Sequence, residues 1–496
     1  MRDKFVGSMN HLIKWIYILF MLWTFLGALR DSNLEINNAT GISVGVLILL
    51  VVLFFIFRKI GFSIIGKIFL GKYKFWVAGV LAIAVIAFQM YFVLHIHPDM
   101  NYDVYFLYSS LNGVEQNHYY TLCPNNIPIL LFMHLWCKIF DASSWLFLDL
   151  LTLFWTDLSA ICNILALYFV NKKLVVPGIY MHVMWLSLFP MIIVPYTDCW
   201  VIPFVSFYIL MWIILRKRSC KLWCKILLVI VMTLAVVGAY FIKPSAVIPF
   251  IAIAVVELLN CIKSGVKVSK IVLVMSFVFT GMISYSVINH QVQNQKYVTI
   301  QKDRGSTPLY FVSLGLSEYG KYNTADAMDM ENAKSRDEVN EISKRKIKER
   351  IKNRGPLGYI KFLLFKHNLN TSDGTFGWLV ESFIAMHTQP PKANKFVQTI
   401  RNYIYPNGTK LHDFAFVAQL WWIVWLGILL FGTTNSYTGI KQMMRLSIIG
   451  GMLFLLIFEG GRSRYLIQFL PVFLILATIQ AQDAKMKIKN LLSGIV

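Results

Sequence analysis

The feature that most limits what this chain can become is the recurrence, along most of its 496 residues, of apolar runs about 17–25 residues long. A helix of that length crosses a hydrocarbon core of roughly 30 Å. In lipid only helices and closed barrels satisfy their own backbone hydrogen bonds, and these runs lack the alternation of a barrel strand. An all-α polytopic membrane protein is therefore expected. Composition agrees, with 57% hydrophobic and 15% charged residues and a mean hydropathy of +0.60, far from the balance of a soluble domain.

A formal net charge of +22 would point to nucleic acid in a soluble chain. Here the basic clusters at 58–74, 171–173, 216–225, 263–270, 441–445 and 485–489 sit between or after apolar runs, which marks them as cytoplasmic loops and excludes a nucleic-acid partner. Helices are then predicted at 13–29, 41–57, 75–95, 146–170, 175–195, 200–215, 226–242, 244–260, 271–289, 413–432, 445–459 and 465–481, twelve in all, with both termini cytoplasmic. The first run follows Arg2, Lys4 and Lys14 without a small-residue cleavage site, so it reads as a retained helix and not a signal peptide. The stretch "IPILLFMHLWCKIF" (127–140) is too short and polar for a span and reads as a juxtamembrane or re-entrant helix on the outer side.

Three regions follow: an N-terminal transmembrane bundle (1–289) with a first outside loop at about 95–145, an extracytoplasmic insert (290–412), and C-terminal transmembrane helices (413–496). In the insert, 331–355 carries charges at helical spacing and predicts a solvated helix that Gly355 and Pro356 end. The next stretch, 355–369, predicts an amphipathic helix lying in the interface. The seven scattered cysteines form neither a disulfide framework nor a zinc spacing, and Cys220 and Cys224 lie in a basic loop. The sequons at Asn38 and Asn407 are short enough to arise by chance.

With the topology drawn, the polar residues that do not mark it fall on one side. Asp99 and Asp103 follow the third predicted helix in "HIHPDMNYDVYF", and "PNNIP" with Asn125 and Asn126 closes the same loop. Asp198 stands in "PYTDCW", Lys243 in "YFIKPSAVIP", and Glu459, Arg462 and Arg464 in "EGGRSRYL". Ionisable groups beside membrane segments are costly and mark functional sites by default, although a charge in a hairpin is often only a solvated turn, and Arg462 and Arg464 could be snorkelling anchors. An acid facing several cations at a membrane boundary suits a lipid-linked phosphate: arginine grips phosphate oxygens bidentately, lysine adds a compact charge, and a carboxylate accepts the proton of an attacking hydroxyl. Helical geometry would put Asp99 and Asp103 on one face, where one raises the other's pKa or shares its role.

The elements "NYDVYF", "YYTLCPNN", "YTD" (196–198), "KP" (243–244), "GLSEYGKYNTAD" (315–326), "TSDGTFGW" (371–378) and "EGGRSRYLIQFLPVFLILA", taken in order, resemble the GT-C superfamily of membrane glycosyltransferases. The nearest layouts are those of the protein O-mannosyltransferases, the lipid A aminoarabinose transferase and the Gram-positive enzymes that modify cell-surface polysaccharides. The resemblance implies inverting transfer of a sugar from a polyprenyl-phosphate donor to a glycan acceptor, outside the cytoplasm of a multi-pass plasma-membrane protein. It implies Asp103 as general base with Asp99 as the alternative, Lys243, Arg462 and Arg464 on the donor phosphate, and Asp198, Asn125, Asn126 and Asp373 orienting substrate. Val104 follows Asp103 where the protein mannosyltransferases carry a paired Asp-Glu, which favours the glycan-modifying branch.

No cofactor is required by such a mechanism, since cations alone can stabilise the leaving phosphate. A divalent cation held by Asp103 and Asp198 is the alternative. Rival readings are a surface polysaccharide polymerase and a lipid-linked oligosaccharide flippase or transporter. Trp378, Trp421 and Trp422 read as interfacial anchors in preference to sugar-stacking rings.

Overall fold

The computed structural model describes residues 2–35, 66–386 and 392–493, together with the single positions 45, 48 and 49. The predicted helix at 41–57 and the sequon at Asn38 fall essentially outside them. Within the described residues the architecture is all-helical, and one isolated antiparallel bridge, Met100 to Ile384, is the extent of β pairing. Ten helices among the described residues are long and apolar enough to cross a membrane.

The long helices of the N-terminal region are α1 (Arg2–Ala28) and α2 (Lys74–His95). Three short helices, α3 (Tyr102–Leu111), α4 (Asn117–Leu122) and α5 (Ile127–Phe140), fill the segment between α2 and the next long helix, the loop expected on the outer side. The fourteen residues of α5 make it shorter than a span, as its polarity predicted. Next come α6 (Trp145–Val170), α7 (Val175–Ser187), the one-turn α8 (Thr197–Trp200), α9 (Ile202–Lys217), α10 (Leu222–Ile242), α11 (Ile248–Ser264) and α12 (Val268–Gln293). The single helix expected over 175–195 is corrected: α7 stops at Ser187, and Pro190 opens a 3-10 turn, Pro190–Ile193. A proline removes a backbone donor and bars the helical conformation of the residue before it, which ends the run.

The insert holds α13 (Pro308–Leu314), α14 (Thr324–Asn332), α15 (Arg336–Thr371) and α16 (Lys395–Ile404). Tyr310, Leu314, Met330, Ala333 and Val339 form a small apolar cluster of its own. Gly355 breaks α15 with φ +61, a left-handed conformation that glycine adopts without steric cost, and the helix resumes at a new angle. The second half is anchored: Phe362, Lys366, His367 and Asn370 are buried against α1 and the following helices.

Two helices, α17 (Leu411–Phe431) and α18 (Gly439–Ile457), precede the last, α19 (Leu470–Ser493), whose apolar stretch from Val472 to Ala477 is buried on every side at the centre of the bundle. By contrast, α12 buries no residue and lies at the periphery against α10. The basic loops after α9 and α11 meet at one end, where Glu257 of α11 pairs with Arg216 of α9 at 2.5 Å and with Lys270 of α12 at 4.0 Å. The basic cluster 441–445, expected in a cytoplasmic loop, lies inside α18, and Arg445, expected at the start of the helix, is fully buried within it, donating to Gln442 at 2.8 Å and to the Thr434 carbonyl at 3.2 Å.

Candidate functional site

At the opposite end of the bundle the chain brings distant segments together. Residues 99–101 run extended against 382–385: Asn101 N–H donates to the Phe383 carbonyl at 2.8 Å, and Ala385 N–H to the Asp99 carbonyl at 2.9 Å. The Asn101 side-chain amide adds bonds to the carbonyls of Ser382 (3.0 Å) and Ile384 (3.2 Å). Leaving this pairing for α3 requires a sharp turn, and Tyr102 takes φ +58 to make it. Four non-glycine residues among those described have positive φ, and Tyr102, Phe376 and Ser382 are three of them. Such conformations cost about 1–3 kcal/mol each and gather where surrounding structure over-determines them, as at functional sites.

This pairing corrects the expectation that Asp99 and Asp103 share a helical face. Asp99 lies in the extended segment; partial burial pushes the Tyr108 hydroxyl up, and the Asp99 charge adds to the rise. Asp103 stands in the first turn of α3 and accepts one tyrosine hydroxyl on each oxygen: Tyr119 at 2.7 Å on Oδ1 and Tyr196 at 3.0 Å on Oδ2. Buried Asn126 donates to the Tyr119 hydroxyl at 2.5 Å, which fixes the ring that fixes the acid. Burial, reinforced by the Asp103 charge, pushes the Tyr119 hydroxyl well up, so it remains a donor. Asn125 is exposed and reaches only its neighbour, Asn126 Oδ1, at 3.3 Å.

Tyr196 joins Asp103 to a second cluster, because the Arg464 guanidinium lies 5.5 Å from its ring centroid. Asp198 pairs with Lys243 through Oδ1 and with Arg464 Nε at 3.4 Å through Oδ2. The Lys243 ammonium sits 4.8 Å from the Tyr465 ring centroid, and the Tyr465 hydroxyl donates to Glu459 at 3.3 Å. Arg462 donates to Glu381 at 3.2 Å. Burial raises the Glu459 carboxyl above its usual range against the pull of Arg462 and Arg464, with Asp103 adding to the rise. Arg464 Nε and Asp198 Oδ2 are buried and face each other as an ion pair without a hydrogen bond, and Glu381 Oε1 nearby is buried with no hydrogen-bond partner.

The structure thus gathers Asp103, Asn126, Asp198, Lys243, Arg462 and Arg464, and sets Asp99 and Asn125 aside. Asp373 has a different place. Its carboxylate accepts from the Asn33 amide, the N–H and hydroxyl of Thr375, Gly377 N–H and the Ser463 hydroxyl, at 2.6–3.0 Å. Both oxygens are occupied, so Asp373 braces the "TSDGTFGW" turn behind the two arginines. Gly374 in that turn is required by space, since a Cβ there would meet the Ala418 carbonyl at 2.8 Å. Trp378 and Trp422 are buried and donate to the carbonyls of Ile404 and Thr371, each at 2.8 Å, which corrects their reading as interfacial anchors. Among the described residues no group of three or more His, Cys, Asp or Glu could hold a metal ion.

Tyr119, Tyr196 and Glu381 were missed as site residues. The two tyrosines stand inside the quoted motifs "YYTLCPNN" and "YTD", which was the available signal; nothing marked Glu381. Lys366 was also missed. It is fully buried and donates to the carbonyls of Gly315 (2.7 Å), Leu456 (3.0 Å) and Phe458 (2.7 Å), which caps the end of α18 directly before Glu459.

An apolar cleft of about 430 Å³ opens between α2, the end of α7, α16 and the start of α17, with Phe92, Leu186, Phe189, Ile192, Ile400 and Phe414 in its walls. None of Asp103, Asp198, Lys243, Arg462 or Arg464 lines it; its walls meet the site's neighbours through Ile404, whose carbonyl accepts from Trp378, which packs 6.0 Å from Phe383, the ring that flanks Arg464.

A family model described as conserved hypothetical integral membrane protein matches residues 5–485. No curated protein and no solved structure matches the chain.

Proposed function

Since the chain belongs to this family of integral membrane proteins, we propose that it is an inverting glycosyltransferase that takes a sugar from a polyprenyl-phosphate donor. The acceptor is a cell-surface glycan or glycopolymer on the outer face of the plasma membrane. The observation that carries the reading is the bridge at Tyr196, which sets a carboxylate aimed by two hydroxyls beside a buried group of cations.

Asp103 has lone pairs to spare after accepting two hydroxyls, so it can take the proton of an attacking acceptor hydroxyl. Lys243, Arg462 and Arg464 are held in advance by Asp198 and Glu381. Charges fixed before substrate arrives need no reorganisation as the phosphate leaves. The apolar cleft offers room for part of an isoprenoid tail. No metal is assigned a step, because the cations suffice for a leaving monophosphate.

Asp103→Asn is expected to abolish transfer from a polyprenyl-phosphate sugar while the purified protein still binds that donor. Retained turnover with Asp99→Asn inactive would move the base to Asp99, and turnover in both variants would end the carboxylate mechanism. Arg462→Ala and Arg464→Ala are expected to weaken donor binding, and unchanged donor affinity in both would remove them from the phosphate site. Comparing surface glycans with and without the protein separates loss of a side-chain sugar, the expected result, from shortened polymers, which would favour a polymerase.

A further inference from the structure

The break in α15 divides two surfaces of different character. Across 344–361 the sequence holds eight basic residues and one acidic one. Three of the eight face inward: Lys346 and Arg350 pair with Asp326, and Arg354 donates to the Ser317 carbonyl at 2.9 Å. Lys344 pairs with Glu341 at 2.8 Å. Arg345, Lys348, Lys352 and Lys361 are exposed, as is the one acid, Glu349.

Beyond Gly355 the outward face turns apolar. Leu357 is 77% exposed, Ile360 54% and Leu364 39%, at the spacing of one helical face. The opposite face rests on the last turns of a membrane-spanning helix: Trp23 of α1 donates to the Leu364 carbonyl at 3.2 Å, and Thr24 meets His367 at 2.8 Å. Trp23 lies five residues before the end of α1, about 7 Å inside it at 1.5 Å per residue. Leu364 is therefore level with the last turns of that helix, Lys361 flanks Leu357 and Leu364 at helical spacing, and Lys348 and Lys352 precede the break at Gly355. A water-borne protein would have to displace lipid to cover this face, whereas a bilayer covers it without rearrangement.

We propose that this surface is an acidic-phospholipid site: Lys348, Lys352 and Lys361 take headgroup phosphates, and Leu357, Ile360 and Leu364 lie among the acyl chains. Each lysine near an anionic surface adds attraction, and an apolar helical face in the interface supplies the rest. The site is independent of the proposed transfer reaction.

Hydrogen exchange of the full chain tests it in nanodiscs of phosphatidylcholine alone and of phosphatidylcholine with phosphatidylglycerol. Peptides covering 344–365 are expected to exchange at least about threefold more slowly in the acidic nanodiscs. In the variant Lys348→Gln/Lys352→Gln/Lys361→Gln that difference should vanish, with exchange in phosphatidylcholine unchanged. Equal exchange of the wild type in both lipids would overturn the proposal, as would a difference that survives the triple substitution. Bilayer quenching by brominated acyl chains, read from a probe at Ile360→Cys, should be strong in both lipids; no quenching would show that the apolar face meets something other than lipid.

Discussion

Donating to a carboxylate and facing a guanidinium place separate demands on one side chain, and Tyr196 meets both with different atoms. Tyr196→Phe tests them apart, because the ring stays beside Arg464 while the hydroxyl is lost. Turnover is expected to fall about tenfold, the worth of one hydrogen bond to a charged group, with donor affinity nearly unchanged. A fall in affinity with turnover preserved would place Tyr196 on the donor and not on the base. Asp198 carries the opposite risk, since it alone faces both Lys243 and Arg464 while only 5% exposed. Asp198→Asn leaves two buried cations without their shared counter-charge, a loss of about 3–5 kcal/mol when a buried pair is broken. Thermal unfolding in detergent should show it, and added inorganic phosphate should recover part of the loss by supplying the missing charge.

The two halves of α15 act as braces, and each makes a prediction at its own scale. The second half of α15 delivers Lys366 to three carbonyls and Asn370 to the loop that follows α18, where Asn370 accepts from Gly461 N–H at 2.5 Å. Lys366→Met keeps the length of the stem but leaves three buried carbonyls without a donor, at about 1–3 kcal/mol for each group left unsatisfied. Looser placement of Arg462 should follow, read as weaker donor binding at a temperature where the variant is still folded. The first half of α15 holds α14 through Asp326. Burial alone would raise that carboxyl, yet the hydrogen bonds and charges of Arg350 and Lys346 outweigh it and hold it below the ordinary value of 3.8. A carboxylate depressed in the folded state contributes stability that is full above its unfolded value and is lost as pH falls through the folded one. Proteolysis between α13 and α15 should therefore rise below about pH 4, and Asp326→Asn should show the same susceptibility already at pH 7, at a cost of about 3 kcal/mol.

For the whole molecule, what was legible in the sequence is what lipid enforces. Spans such as Lys74–His95 and Leu222–Ile242 announce themselves because every turn must be apolar, and the convergence of Asp198, Lys243 and the late arginines at one end followed from topology alone. What stayed hidden depends on pairings between distant segments. Nothing local to Met100 reveals its bridge to Ile384, so the separation of Asp99 from Asp103 could not be read from their spacing. Nor does Asp373 betray in its motif that Asn33 and Ser463 would use up its oxygens, or Arg445 that it is buried inside α18. The same topology makes a test that needs no substrate. Cys220 and Cys224 lie at the end of the bundle where Arg216, Glu257 and Lys270 meet, while Asn407 is exposed beyond α16, in the insert that carries Glu381 and Asp373. With the proposed orientation, a membrane-impermeant maleimide should label Asn407→Cys in intact cells and reach Cys220 or Cys224 only after permeabilisation. Labelling in the reverse order would put the acid and its cations on the cytoplasmic face, where a donor sugar displayed outside could not meet them.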